Sequence, residues 1–264
     1  MKMRALLLAA GLGTRLRPLT NDWPKCLMPI GDKPLLEYWL EIIWKQGIRE
    51  ALVNLHYLPT VVQEFLDRPK FKYWVKTVHE TELLGTAGTL KSNLNYFKDS
   101  SVFMIHADNW CNCNFSEFIK YHKTMRPCST DMTMMTFKTD KPELCGTVKT
   151  NSQGIVEEFY EKKQNSNFTI ANAAVYILEP NILKWIESKN NINDFSNDVI
   201  PNYIGKIATW HNHKIHRDIG TLEELINAQN DPKPFSLLNE KDEWREKFLK
   251  KPIHQHIKNY ATNR

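Results

Sequence analysis

The chain has 264 residues, of which 42% are hydrophobic and 25% charged, with a formal net charge of +5. These proportions are those of a soluble globular protein with one large domain, or one domain plus a small appendage. A weakly basic balance fits phosphorylated substrates but does not imply a nucleic-acid partner. No apolar run is long enough to span a bilayer, and Met1-Lys2-Met3-Arg4 leads straight into a core strand rather than a removable signal peptide. The five cysteines, Cys26, Cys111, Cys113, Cys128 and Cys145, are odd in number and irregularly spaced. They read as reduced thiols of a cytoplasmic protein, neither a disulfide framework nor a zinc ribbon.

The first strand is Ala5 to Ala10, an apolar run ended by Gly11, as in a buried parallel strand. Gly11 and Gly13 permit a tight turn and a close approach of backbone N–H groups to an anion. Thr14 and Arg15 add a hydroxyl and a permanent cation, and Lys25 follows Pro24 on the return of the loop. Together they describe a place for a polyphosphate, with Leu8 and Ala10 at the strand end that leads into it. Residues 35–46 carry apolar side chains at helical spacing, and Gly47 is a natural stop. A strand over 51–55, a helix over 60–66 and a strand over 73–78 follow, a rhythm that predicts a parallel sheet with right-handed crossovers. His79 to Leu90 leads into a further helix, and Ser101 to Asn109 is an apolar strand that delivers Asp108 at its C-terminal end, where open α/β sheets bind ligands. The rest reads as a helix over 116–122, a strand over 131–137, a hairpin over 142–156, a strand over 168–178, a helix over 181–188 and a helix from Thr221 to Ala228.

Gly11-Leu12-Gly13-Thr14-Arg15-Leu16-Arg17-Pro18, then Pro24-Lys25-Cys26-Leu27-Met28-Pro29-Ile30 and Lys33-Pro34, resembles the signature of the sugar-nucleotide pyrophosphorylases, nucleotidyltransferases that join a nucleoside triphosphate to a sugar 1-phosphate. The string Gly85-Thr86-Ala87-Gly88 is similar to that of the mannose-1-phosphate guanylyltransferase-like members. The resemblance implies an α/β, Rossmann-like three-layer sandwich with a mostly parallel mixed sheet. It implies a catalytic domain over 1–231; the remainder, 232–264, is charged but carries Trp244, Phe248, Leu249 and Ile253, and is expected to form a helical C-terminal tail that packs on the domain or on a second subunit, leaving room for a homodimer.

The same resemblance assigns roles. Asp108 and Asp218 are the expected magnesium ligands. Arg15 and Lys25 face the triphosphate, and Lys162 the incoming sugar phosphate. Leu8, Ala10, Gly11, Gly13, Thr14, Glu80, Gly85 and Thr86 surround the nucleotide; Asn109, Gly146, Glu161 and Asn172 surround the sugar phosphate. A carboxylate is acceptor-only and suits guanine, which offers N1–H and its amino group side by side. Glu80 therefore favours GTP over dTTP, UTP or CTP, and the expected products are a GDP-sugar of the mannose or heptose type and pyrophosphate. The rival is a non-catalytic nucleotide-sugar sensor, disfavoured because Arg15, Lys25, Asp108, Lys162 and Asp218 are all present. Five positions depart from the pattern: Ala107 and Ala174 replace pocket glycines, Lys163 and Leu222 replace prolines, and Arg217 precedes Asp218. His106 is expected in the core or behind the site, and His211 and His213 are not expected to hold zinc, because a phosphate-processing magnesium site needs oxygen ligands.

Overall fold

The computed structural model describes residues 2–162, 168–234 and 242–262. In chain order the strands are β1 (Met3–Leu8), β2 (Pro29–Ile30), β3 (Lys33–Pro34), β4 (Ala51–Leu55), β5 (Val75–His79), β6 (Ser101–His106), β7 (Asn109–Asn112), β8 (Met132–Lys138), β9 (Gly146–Thr150), β10 (Val156–Glu161), β11 (Ile170–Leu178), β12 (Ile207–Asn212) and β13 (Ile215–Asp218). The helices are α1 (Leu35–Lys45), α2 (Pro59–Leu66), α3 (Pro69–Lys72), α4 (Thr86–Ser92), α5 (Leu94–Phe97), α6 (Phe115–Thr124), α7 (Pro180–Glu187), α8 (Leu222–Asn230), α9 (Glu243–Leu249) and α10 (Pro252–Thr262). No helix among the described residues is long and apolar enough to cross a membrane. The expected α/β fold, a mixed and mostly parallel sheet flanked by helices, is the one observed.

Two compact units share the chain. The first holds Met1–Leu6, Leu83–His106 and Cys113–Lys214. Its strand order is β10-β9-β11-β6-β1, with β8 paired to β11 and β12. β11 runs antiparallel to β6 and β8, whereas β12 is parallel to β8. The register of β11 on β8 shifts between Asn172 and Tyr176, a bulge in mid-strand.

The second unit holds Leu7–Glu82, Ala107–Asn112 and Ile215–Arg264. Its strands run in the order β1-β4-β5, and β7 pairs with β13 as a separate antiparallel ribbon. α1 buries Leu35, Leu36, Trp39, Leu40 and Ile43, the stripe that its sequence spacing dictates. It ends where Gly47 takes φ +79°, so that Gly47 N–H reaches Trp44 O and Ile48 N–H reaches Ile43 O, closing the last turn. The opposite side of α1 carries a charge. Glu37 is fully buried, and its oxygens accept from Lys70 Nζ at 2.6 Å and Arg68 Nη1 at 2.7 Å. Arg68 Nε donates in turn to Asp242 Oδ2 at 2.7 Å, and Asp242 caps α9 by accepting from Arg245 N–H. Within the second unit α9 is thus fastened to α1 by an ion network that runs through Arg68.

Removing one member of such a network strands its partners. Glu37→Ala is expected to cost about 3 kcal/mol, because it leaves buried cations uncompensated. Urea unfolding of the variant against wild type measures it.

Candidate active site

The glycine loop is shaped by contact as well as by flexibility. Gly13 takes φ +62°, and a Cβ there would lie 2.9 Å from Thr20 Cγ2 and 3.2 Å from Lys25 Cβ. Only glycine lets the loop fold back against Lys25. Thr20 Oγ1 locks the fold by donating to Gly13 O at 2.8 Å. Leu8 is half-buried and Ala10 buried, while Gly11, Thr14 and Arg15 are exposed.

Lys25 lies in a short 3-10 turn held by Pro24, and its side chain is only 7% exposed. Its ammonium donates to Asp108 Oδ2 at 2.7 Å and to Asp218 Oδ1 at 2.9 Å. Arg15 Nη2 reaches the other oxygen of Asp218 at 3.2 Å. Two cations and two carboxylates, drawn from four separate stretches, therefore meet at one point. The β7–β13 ribbon sets the carboxylates: Asp218 stands opposite Asn109, the residue after Asp108, and Ile219 N–H donates to Asp108 O at 3.2 Å. Burial pushes the Lys25 ammonium down, but Asp108 and Asp218 outweigh it and the net shift is upward. The neighbouring Cys26 thiol is pushed up to about 12 by burial and by Asp108, which makes it inert.

Glu80 is buried, in the second unit. Its Oε1 accepts from Asn54 Nδ2 at 3.0 Å, and Asn54 Oδ1 accepts from Ala9 N–H at 2.7 Å. Glu80 is thereby tied to the backbone that enters the glycine loop. Asn109 is also buried in this unit, and its carbonyl accepts from Trp39 Nε1 at 2.8 Å.

The remaining candidates lie in the first unit. Gly85 has φ +77°, and a Cβ there would strike Asn193 O at 2.4 Å. Thr86 Oγ1 donates to Asp194 Oδ2 at 3.3 Å and accepts from Phe195 N–H at 2.7 Å, which seats the start of α4 on residues 193–195. A Cβ on Gly146 would meet Glu161 Oε2 at 2.7 Å, so glycine there makes room for the carboxylate. Glu161 pairs with Lys162 Nζ at 3.3 Å. Asn172 donates to Tyr176 OH at 2.6 Å and accepts from Ala174 N–H at 3.0 Å. Ala174 has φ +52°, inside the β11 bulge. Ala107, by contrast, is fully buried. Position 163 lies outside the described residues. His211 and His213 touch edge to face at 4.6 Å, and among the described residues no group of three or more His, Cys, Asp or Glu side chains is placed to hold a metal.

A family model described as "Nucleotidyl transferase" matches residues 4–233. The chain belongs to the nucleotidyl transferase family. A rice protein carried as "Probable mannose-1-phosphate guanylyltransferase 3" is 35% identical over 193 residues, covering 71% of this chain and 53% of that protein. The mannose-1-phosphate guanyltransferase of Emericella nidulans is 35% identical over 191 residues, 70% of this chain and 52% of its own length. The chain thus spans about half the length of these curated relatives. Among solved structures, HddC from Yersinia pseudotuberculosis complexed with GMP-PN superposes with a TM-score of 0.71 at 25% identity, over 86% of this chain and 97% of that one. A Bacillus anthracis chain at 18% identity and TM-score 0.74, over 86% of this chain and 94% of that one, shares the fold.

The sequence pattern singled out Arg15, Lys25, Asp108 and Asp218, and the structure brings all four together. Two participants went unassigned in the sequence reading. Gly220 abuts the cluster: a Cβ there would lie 2.6 Å from Arg15 Nη2 and 2.9 Å from Asp218 Oδ2. Asn54 is the other, and its signal was a lone amide in the buried strand Ala51–Leu55, a polar group that has to find a partner.

The upward shift of Lys25 has a definite sign in stability. A raised lysine pKa stabilises the folded state fully below its ordinary value of 10.5, and that contribution disappears as pH rises through the higher folded value. Lys25→Met removes the titrating group. The stability advantage of wild type over Lys25→Met is therefore expected to be constant near neutrality and to shrink above pH 10.5, read by urea unfolding across a pH series.

Proposed function

We propose that the chain is a guanylyltransferase: it joins GTP to a sugar 1-phosphate of the mannose or heptose type and releases pyrophosphate and a GDP-sugar. The observation that carries this reading is the buried Lys25 ammonium bridging Asp108 and Asp218 beside Arg15, on the return of a glycine loop. The choice of guanine draws support from the names of the relatives in rice and Emericella, from the GMP-PN complex of HddC, and from the acceptor-only carboxylate of Glu80.

The chemistry asks little of the protein beyond positioning and charge. The sugar phosphate oxygen is already an anion and attacks the α-phosphorus in line without a general base, expelling pyrophosphate. Gly11 and Gly13 let backbone N–H groups approach the triphosphate, and Arg15 and Lys25 neutralise it. Lys162, two-thirds exposed, holds the incoming phosphate, with Gly146, Glu161 and Asn172 on the sugar side. Asp108 and Asp218 fit a magnesium ion in donor type, since both offer hard carboxylate oxygens and such an ion takes its other ligands from substrate phosphates and water. When bound, magnesium supplies charge neutralisation across the phosphates. The odd number and irregular spacing of the five cysteines in the sequence support a reducing, cytoplasmic setting.

Pyrophosphate release from each nucleoside triphosphate, tried against mannose, glucose, glucosamine and heptose 1-phosphates, tests the reading. GTP with a mannose- or heptose-type acceptor is the expected pair; release from no combination sinks the transferase assignment. Asp108→Ala is expected to lower turnover at least about a hundredfold while the protein stays folded. Glu80→Gln is expected to weaken the preference for GTP, and an unchanged nucleotide profile removes Glu80 from base reading.

A further inference from the structure

The β7–β13 ribbon that presents Asp108 and Asp218 is short. Four residues face four, and an isolated two-stranded ribbon of this size is marginal in water. Something else must hold it. On its ladder Arg217 stands opposite Trp110, immediately beside the Asp218–Asn109 pair. Successive side chains of a strand alternate between faces, so Arg217 points away from the face that carries Asp218. There it grips Asp231, the residue that ends α8. Arg217 Nε donates to Asp231 Oδ2 at 2.7 Å and Nη2 to Oδ1 at 3.1 Å, a bidentate pair. Trp110 Nε1, from the partner strand, donates to the same Oδ2 at 3.0 Å. Arg217 Nη1 also reaches Glu224 Oε2 on α8 at 3.1 Å.

The geometry points to a clamp. Asp231 is nearly buried and takes one hand from each strand of the ribbon. Asn112 Nδ2 adds a bond to Pro232 O, just beyond. On the other side, Trp39 Nε1 fastens the β7 backbone to α1 through Asn109 O, and the Trp110 ring packs edge-on against Tyr38 at 4.9 Å. The segment between the two ends of the clamp holds Gly220, which abuts Arg15, and Thr221, whose hydroxyl caps α8. We propose that Arg217, through Asp231 and Trp110, is a positioning residue: it fixes the ribbon so that both carboxylates meet Lys25. An arginine is suited to the task because its planar fork holds Asp231 with two bonds and Glu224 with a third.

The inference rests on the transferase reading for its catalytic consequence, but not for its structural one. Its test uses the full chain with Arg217→Met, Arg217→Lys, Asp231→Asn and the double variant Arg217→Met/Asp231→Asn. Turnover and KM are measured with GTP and mannose 1-phosphate, and amide hydrogen exchange is followed on the same proteins. Arg217→Met is expected to lower kcat about tenfold or more while KM for both substrates stays put, since Arg217 touches neither. Arg217→Lys recovers part of the loss. The double variant is no worse than the poorer single one, because both remove the same contact. Exchange speeds up at 109–112 and 215–218 and stays slow in α1 and β4. Wild-type kcat in Arg217→Met overturns the proposal. So do additive losses in the double variant, or faster exchange spread through α1 and β4, which mark a general loss of stability. If the wild-type protein transfers no nucleotide at all, the transferase reading falls, and local exchange in the ribbon alone decides whether the clamp holds.

Discussion

An ammonium group that is almost wholly out of water has to be paired, and the pairing of Lys25 organises the second unit. Desolvating one lysine costs several kcal/mol unless opposite charge and good hydrogen bonds meet it. One carboxylate would balance the charge; here two share it, at 2.7 and 2.9 Å. They come from positions 83 and 193 residues away in the chain. Their convergence requires Pro24 to fix the lysine's turn, Gly13 to let the glycine loop lie against it, and the β7–β13 ribbon to bring Asp218 beside Asp108. Each of these devices supports that contact.

The same contact makes the substrate-free site close to neutral. Lys25 and Arg15 balance Asp108 and Asp218, so neither pair of like charges faces the other alone. Of the four side chains only that of Lys25 is out of water; Asp108 is about a third exposed and Asp218 and Arg15 are more than half exposed, so a buried cation is held by charges that still meet solvent.

How much of this was legible in the sequence depended on how local the signal was. The glycine loop, α1 and β4 could be read from residue spacing alone, because glycine placement and apolar periodicity act over a few positions. Asp108 was visible as a carboxylate at a strand end, and Asp218 only through the family resemblance. The ribbon that joins them was not, since Asn109-Trp110-Cys111-Asn112 has no alternation that marks a strand and its partner lies more than a hundred residues on. Asn54 shows the same limit. Its burial could be inferred from its strand, but that it bridges Ala9 and Glu80 is a tertiary fact. Gly220 lies two residues after Asp218, and its use, to leave room for Arg15 and Asp218, appears only when the side chains are in place.

The two alanines at positions where the family pattern has glycine show why a substitution has to be judged by its surroundings. Ala107 sits in ordinary backbone and is fully buried, with its N–H bonded to Leu8 O, so its methyl fills space in the core. Ala174 is half-buried at φ +52°, a conformation that costs an L-residue roughly 1–2 kcal/mol. Such a backbone persists only when its neighbours enforce it. Here Asn172 does so by accepting from Ala174 N–H while donating to the buried Tyr176 hydroxyl. The strain and the asparagine are therefore one feature: the bulge that tilts Ala174 is what folds the Asn172 amide onto its own strand. Any group that recruited the Asn172 amide would have to compete with those two bonds.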